Sequence, residues 1–105
     1  MQVILSPLAE RDLEDIGDYI ARDNPRRALS FIIELRRQCV KIATAPQAYR
    51  PRPELGDGVR SCAHGNYVIF FHEDRNGLGI VRILHGAMNI EARFAEPGTI
   101  TSTGT

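Results

Sequence analysis

Three histidines, His64, His72 and His85, are the side chains of this 105-residue chain best suited to moving protons near neutral pH. None has cysteines or carboxylates beside it at the spacing of a zinc site. Each falls on a strand or a turn, where a histidine commonly serves as a polar rim residue. Ser6, Ser30 and Ser61 would need a sharp strand-to-helix elbow and a histidine within reach to act as nucleophiles, and their surroundings spell no such elbow. The turns His64-Gly65-Asn66 and Asn76-Gly77-Leu78-Gly79 lack the glycine pattern that cradles a phosphate. Glu73-Asp74 is a carboxylate pair in a hairpin turn, where solvation accounts for it. Cys39 and Cys62 have neither metal-ligand nor redox spacing and read as small buried hydrophobes in a reducing compartment. Composition and spacing therefore predict no catalytic residue, no metal and no cofactor.

Ionic recognition is what remains. Thirteen basic residues balance thirteen acidic ones, which removes the bulk positive field of a general nucleic-acid binder. The balance is a cancellation between segments. Residues 1–23 carry six acids against Arg11 and Arg22, whereas residues 24–44 carry Arg26, Arg27, Arg36, Arg37 and Lys41 against Glu34. Lys41 is the sole lysine, so the cationic chemistry belongs to arginine, whose planar fork matches carboxylate or phosphate. Two neighbouring helices with complementary faces would explain the split. Apolar runs of only a few residues predict no membrane span, and MQVILSPLAER has no basic leader or cleavage site. A cytoplasmic protein is expected.

The elements that must position these side chains follow from periodicity and capping. Gln2–Leu5 is a short β-rich run. Ser6 and Pro7 then start a helix in which Leu8, Ala9, Leu13, Ile16, Tyr19 and Ile20 share one face. Asn24-Pro25 stops it and starts a second helix by the same device, running to about Thr44. That helix has two apolar stripes. Ala28, Phe31, Ile32, Leu35, Cys39, Ile42 and Ala43 suit a sheet. Leu29, Ile33 and Val40, interrupted by Arg36, suit the antiparallel first helix or, as exposed anchors, a partner. Burial in either place stabilises by about 1.5–3 kcal/mol per large side chain.

Gln47–Gly58 reads as a proline- and glycine-rich loop, with Arg50 and Arg52 in it and Arg60 just beyond. Strands follow at Val59–Ala63, Tyr67–Glu73 and Gly79–His85. Val68 and Phe70 face one way and Tyr67, Ile69 and Phe71 the other, as in a central strand. The fold class is α+β, β-α-α-β-β-β, a helical hairpin packed on a mostly antiparallel sheet. Ile90–Phe94 fits a last strand or one helical turn. Residues 1–95 form a single domain, and 96–105 read as a disordered tail.

The segments SPLAERDLEDIGDYIARDNPRRALSFIIEL, NYVIFF and IVRILHGA, in this order, resemble the ParE branch of the RelE/ParE toxin superfamily over residues 3–94. The specific parts are Asp12-Leu13 with Ile16 and Tyr19-Ile20, Asn24-Pro25 with Ala28, and Arg82-Ile83-Leu84-His85-Gly86. The resemblance implies the toxin of a type II toxin–antitoxin module that inhibits DNA gyrase and replication without catalysing a reaction. It also implies a ParD-like antitoxin whose flexible C-terminal part wraps the toxin, while operator DNA is contacted only through the antitoxin. Apolar anchors docking in a groove, with strand addition at a sheet edge, are the physics such wrapping would use.

On that resemblance Leu29, Ile33, Arg36, Val40, Arg50 and Arg52 are expected to meet the antitoxin, and Arg82, His85, Met88 and Arg93 the target. Arg82 has a second reading, as a structural tie between the C-terminal segment and the sheet. ParE-like sequences usually continue LHGA with Arg-Asp, and this chain has Met88-Asn89, which removes two charges. The rival branch, RelE-like, cuts mRNA on the ribosome and needs cations for the phosphorane charge and a group for the 2′-OH proton. Its usual strand arginine falls near Cys62, its later arginine on Met88 and its late tyrosine near Phe94, so that cationic set is missing. A third possibility is a toxin that has lost its activity and acts only as an antitoxin-binding co-repressor.

Overall fold

The computed structural model describes residues 1–97 and Thr99. Its elements are β1 (Val3–Leu5), α1 (Pro7–Ala21), α2 (Pro25–Ile42), β2 (Arg50–Pro51), β3 (Arg60–His64), β4 (Tyr67–Asp74), β5 (Gly77–His85) and α3 (Ile90–Phe94). Single 3₁₀ turns at Pro46–Ala48 and Pro53–Leu55 flank β2. The sheet order is β1-β5-β4-β3-β2, with β1 parallel to β5 and every other pairing antiparallel. No described helix is long and apolar enough to cross a membrane.

Both helix starts work as their sequences predict. Ser6 Oγ accepts the Ala9 amide at 3.0 Å and donates to the Val81 carbonyl at 2.8 Å, so the cap also fastens α1 to β5. Asn24 Oδ1 accepts the Arg27 amide at 3.0 Å, and proline occupies the first turn of each helix.

The helical hairpin covers one face of the sheet. Leu13, Ile16, Phe31, Leu35, Cys39 and Ile42 bury against Ile69, Phe71, Leu78, Ile80 and Ile83. The opposite face holds a smaller core, in which Phe70 and Leu84 pack with Leu55, Val59, Ile90 and Phe94. β4 is thus apolar on both faces, with the alternation expected of it. Between Phe70 and Phe71 the register slips: Phe70 lies opposite Arg82 and Phe71 opposite Ile80, leaving Val81 as an extra residue in β5. At the start of β5, Gly77 adopts φ 131°, and a Cβ there would collide with the Gln2 carbonyl oxygen, where β1 approaches.

Two open readings are decided and one expectation changes. Leu29, Ile33 and Val40 are not hairpin core: they are 66%, 41% and 61% exposed. At 100° per residue their stripe is centred about 140° from the core stripe, on the solvent side of α2. The helices meet instead through small contacts such as Gly17 against Ile32. The proline-rich loop contains a two-residue strand, and Ile90–Phe94 is a helix capped by Asn89, whose Oδ1 accepts the Ala92 amide at 3.1 Å. The tail expected from residue 96 falls largely outside the described residues. Within it, Glu96 and Thr99 hydrogen-bond Arg82.

Candidate interaction surfaces

The outer face of α2 brings Leu29, Ile33, Arg36 and Val40 together at i, i+4, i+7 and i+11, so the four form one exposed stripe. Arg36 has a carboxylate partner, Glu10 of α1 at 3.3 Å, and both side chains stay about half exposed. Arg26, Arg37 and Lys41 are exposed on the same helix. An apolar stripe set among cations suits an acidic amphipathic segment. Arg50 is exposed on the edge strand β2. Arg52 belongs elsewhere: its guanidinium lies 5.5 Å over the Phe70 ring, on the smaller core, and pairs with Glu54 at 2.7 Å.

His85 and Met88 line a second surface. A cleft of about 950 Å³ opens between the C-terminal half of α1, the β3–β4 turn and the β5–α3 turn, with Tyr19, Phe31, Tyr67, His85 and Met88 around it. Tyr19 is 65% and Met88 40% exposed. Tyr67 packs edge-on against His85 and tilted against Phe31, with ring centroids 5.2 and 5.6 Å apart. Burial pushes the Tyr67 phenol pKa up, so it stays protonated. His85 Nδ1 accepts the Ala87 amide at 3.0 Å, which leaves Nε2 to carry the imidazole proton as a donor. Asp15 and Asp18 line the cleft on the α1 side. At its far end Arg27 binds Glu34 at 2.6 Å and holds that carboxyl below its ordinary pKa. Glu34 in turn lies 3.4 Å from His64 Nε2.

Arg82 is not on either surface. Only 4% exposed, it spends its whole guanidinium inside the protein. Nε and Nη2 each donate to Asp12 at 2.8 Å, and Nη1 donates to the Arg93 carbonyl, Glu96 Oε1 and Thr99 Oγ1 at 3.1, 2.6 and 3.1 Å. This corrects its place in the target-facing set and favours the structural tie. The cause is the short β1: α1 carries Asp12 over the uncovered end of β5, where a buried carboxylate draws a cation. Arg93 is half-buried beside it and pairs with Glu96 at 3.3 Å.

Asp12 and Glu96 were missed as partners of this arginine. Asp12 left a signal, because it falls inside the apolar arc of α1, between Leu8 and Ile16, where an acid needs a reason. Glu96 left none. Among the described residues no group of three or more His, Cys, Asp or Glu side chains could hold a metal ion.

A helical hairpin on this sheet, with a short helix behind it, defines the small α+β toxin fold of the RelE/ParE superfamily. Residues 3–90 match the family model described as the ParE toxin of the type II toxin–antitoxin system parDE. The chain is 35% identical over 91 residues to Toxin ParE1 of Caulobacter vibrioides, covering 86% of this chain and 94% of that one. A solved chromosomal ParDE toxin–antitoxin system from P. aeruginosa superposes with TM-score 0.70 at 22% identity, over 81% of this chain and 95% of that one. The RelBE2 toxin–antitoxin complex of Mycobacterium tuberculosis gives TM-score 0.55 at 24% identity, over 80% and 95%. At these identities the two structures speak for the fold. The chain belongs to the ParE toxin family of type II toxin–antitoxin systems.

Proposed function

We propose that this toxin arrests growth by binding DNA gyrase, without catalysing a reaction of its own, and that a ParD-like antitoxin neutralises it. The cytoplasm is where such a target places it. The observation that carries the reading is the character of the cleft at His85 and Met88. Its walls are largely aromatic and aliphatic, its α1 side carries Asp15, Asp18 and Arg22, and the nearby strand arginine is buried against Asp12. An RNA phosphate entering there would meet Asp15 and Asp18, while of the two lining arginines Arg27 is already paired with Glu34 and Arg22 lies over the Tyr19 ring, a poor cationic set for a phosphorane charge. His85 presents a donor at Nε2, whereas a 2′-OH needs a base. A protein surface with apolar anchors and basic flanks fits these walls better than RNA does.

The α2 stripe supports the antitoxin half of the proposal. Leu29, Ile33 and Val40 are apolar side chains that the described residues leave exposed, and the helix around them is cationic. Operator DNA would then be contacted through the antitoxin, in keeping with the zero net charge of the toxin.

Induction without antitoxin, following thymidine and methionine incorporation in the first minutes, tests the target. Early loss of thymidine incorporation, with inhibition of supercoiling by purified protein, is the expected result. Early loss of methionine incorporation instead would establish the ribosome-dependent nuclease. Soluble protein that stops neither would mark a co-repressor.

A further inference from the structure

Arg82 lies outside the lining of the cleft, and its guanidinium joins the two parts of the chain that flank it. The Nε–Nη2 edge grips Asp12 on α1, one turn before Asp15 and Ile16, which line the cleft. Nη1 grips the segment that continues from the other wall, His85, Ala87 and Met88, through α3 to Glu96. A smaller recess of about 180 Å³ shows the arrangement, lined jointly by Asp12, Asp15, Arg82, Met88, Arg93 and Glu96.

The second wall needs such a hold. α3 is five residues long, far below the length at which a helix is stable by itself. Ile90 and Phe94 anchor it on the smaller core, but both remain half-buried. Its C-terminal end is held by Arg82 Nη1, which bonds the Arg93 carbonyl at 3.1 Å and makes a 2.6 Å charge-assisted bond to Glu96, whose other carboxylate oxygen takes Arg93 at 3.3 Å.

We propose that Glu96 is a positioning residue for the target-facing segment 86–96, latching it through Arg82 at a fixed spacing from α1. The inference rests on the reading of His85, Met88 and Arg93 as target-facing, but not on which target they meet. Removing the Glu96 carboxylate leaves Nη1 with the Arg93 carbonyl and Thr99 hydroxyl, and leaves the Asp12 pair untouched. The fold is therefore retained while the latch loses its charge-assisted bond and keeps only the weaker neutral ones.

The test compares wild type, Glu96→Ala and Glu96→Gln as full chains purified from their antitoxin complexes. Growth arrest on induction, gyrase inhibition, antitoxin affinity and amide exchange at Ala92–Ala95 are measured. Glu96→Ala is expected to weaken growth arrest about tenfold, the effect of one charge-assisted bond, with antitoxin affinity unchanged and faster exchange at Ala92–Ala95. Glu96→Gln keeps an acceptor for Nη1 and recovers most of the loss. Glu96→Ala that arrests growth like wild type overturns the latch, as does unchanged exchange or a parallel fall in antitoxin affinity. A wild-type chain that arrests nothing overturns it too. Arrest by wild type, lost in Glu96→Ala, without gyrase inhibition would uphold the latch and remove the gyrase reading alone.

Discussion

Asp12 Oδ2 accepts the backbone amide of Ile83 at 3.0 Å, seventy-one residues away in sequence and on the strand edge that β1 leaves uncovered. β1 ends at Leu5, opposite Ile80, and past that point a helix side chain does the work of a neighbouring strand. The same carboxylate oxygen takes the Arg82 Nε bond, so one acid satisfies a buried amide and a buried cation together.

Removing that acid should therefore be expensive. Asp12→Ala leaves Arg82 buried with half its guanidinium unpaired and Ile83 without an acceptor, and is expected to cost about 3–5 kcal/mol. Asp12→Asn keeps one acceptor and should cost less. The double variant Asp12→Leu/Arg82→Met removes the uncompensated charge and should recover part of the loss, while the Ile83 amide stays unpaired. Urea denaturation of the four proteins checks the order. A loss below about 1 kcal/mol for Asp12→Ala would show that solvent reaches Arg82.

The α2 stripe makes the opposite prediction, with little effect on folding and a large one on binding. Leu29→Asp and Val40→Asp fall on exposed positions and should change stability by no more than about 0.5 kcal/mol. Each should weaken antitoxin binding about tenfold or more by placing a carboxylate where an apolar anchor docks. Arg36→Glu loses only an exposed ion pair with Glu10, worth about 0–1 kcal/mol to the fold. It should still weaken the complex with an acidic antitoxin segment. Calorimetric titration with the antitoxin reads all three. Unchanged affinity in all of them would remove this face from the interface.

Helix starts, the two-faced central strand and the order of elements were legible because each follows from local rules, namely Ser-Pro and Asn-Pro capping, period-2 alternation and turn residues. The exposure of Leu29, Ile33 and Val40 was not legible, since a stripe of apolar residues reads alike whether it meets a helix in the same chain or in another. The role of Arg82 was half legible. Its tie to the C-terminal segment was one of two readings, but Asp12 as the second anchor depends on a helix crossing a strand seventy residues away. Asn89 shows the limit of judging by charge. In place of the usual aspartate it keeps the cap on α3, because either side chain offers an oxygen to the Ala92 amide.

That cap separates the two residues of the Met88-Asn89 departure. Asn89→Asp should leave α3 in place, and Asn89→Ala should loosen it by about 1 kcal/mol, visible as faster amide exchange at Ala92 and Arg93. Met88 has no such structural duty and lies exposed at the cleft. Met88→Arg restores the usual charge there and is expected to make expression more harmful, measured as colony survival after induction. Equal or lower toxicity would mean that the methionine itself makes the productive contact.

The two cysteines give the chain a predictable response to alkali. Burial pushes the Cys39 thiol up to about 11 and raises Cys62 as well, from an ordinary value of 9.0. A folded-state pKa above the unfolded one means that folding favours the protonated thiol. Its stabilising contribution is whole below pH 9 and declines as the pH rises toward the folded value of about 11. Denaturation midpoints should thus be flat from neutrality to about pH 8.5 and fall above it. Tyr67, also raised by burial, shares in that fall, so the comparison that isolates Cys39 is with Cys39→Ala, which starts less stable but should lose less per pH unit. Thiol labelling gives the independent check. Native protein near pH 8 should resist a disulfide-exchange reagent, and both thiols should react at once in denaturant. Rapid labelling of the native chain would place at least one thiol in contact with solvent and remove the basis for the alkaline transition.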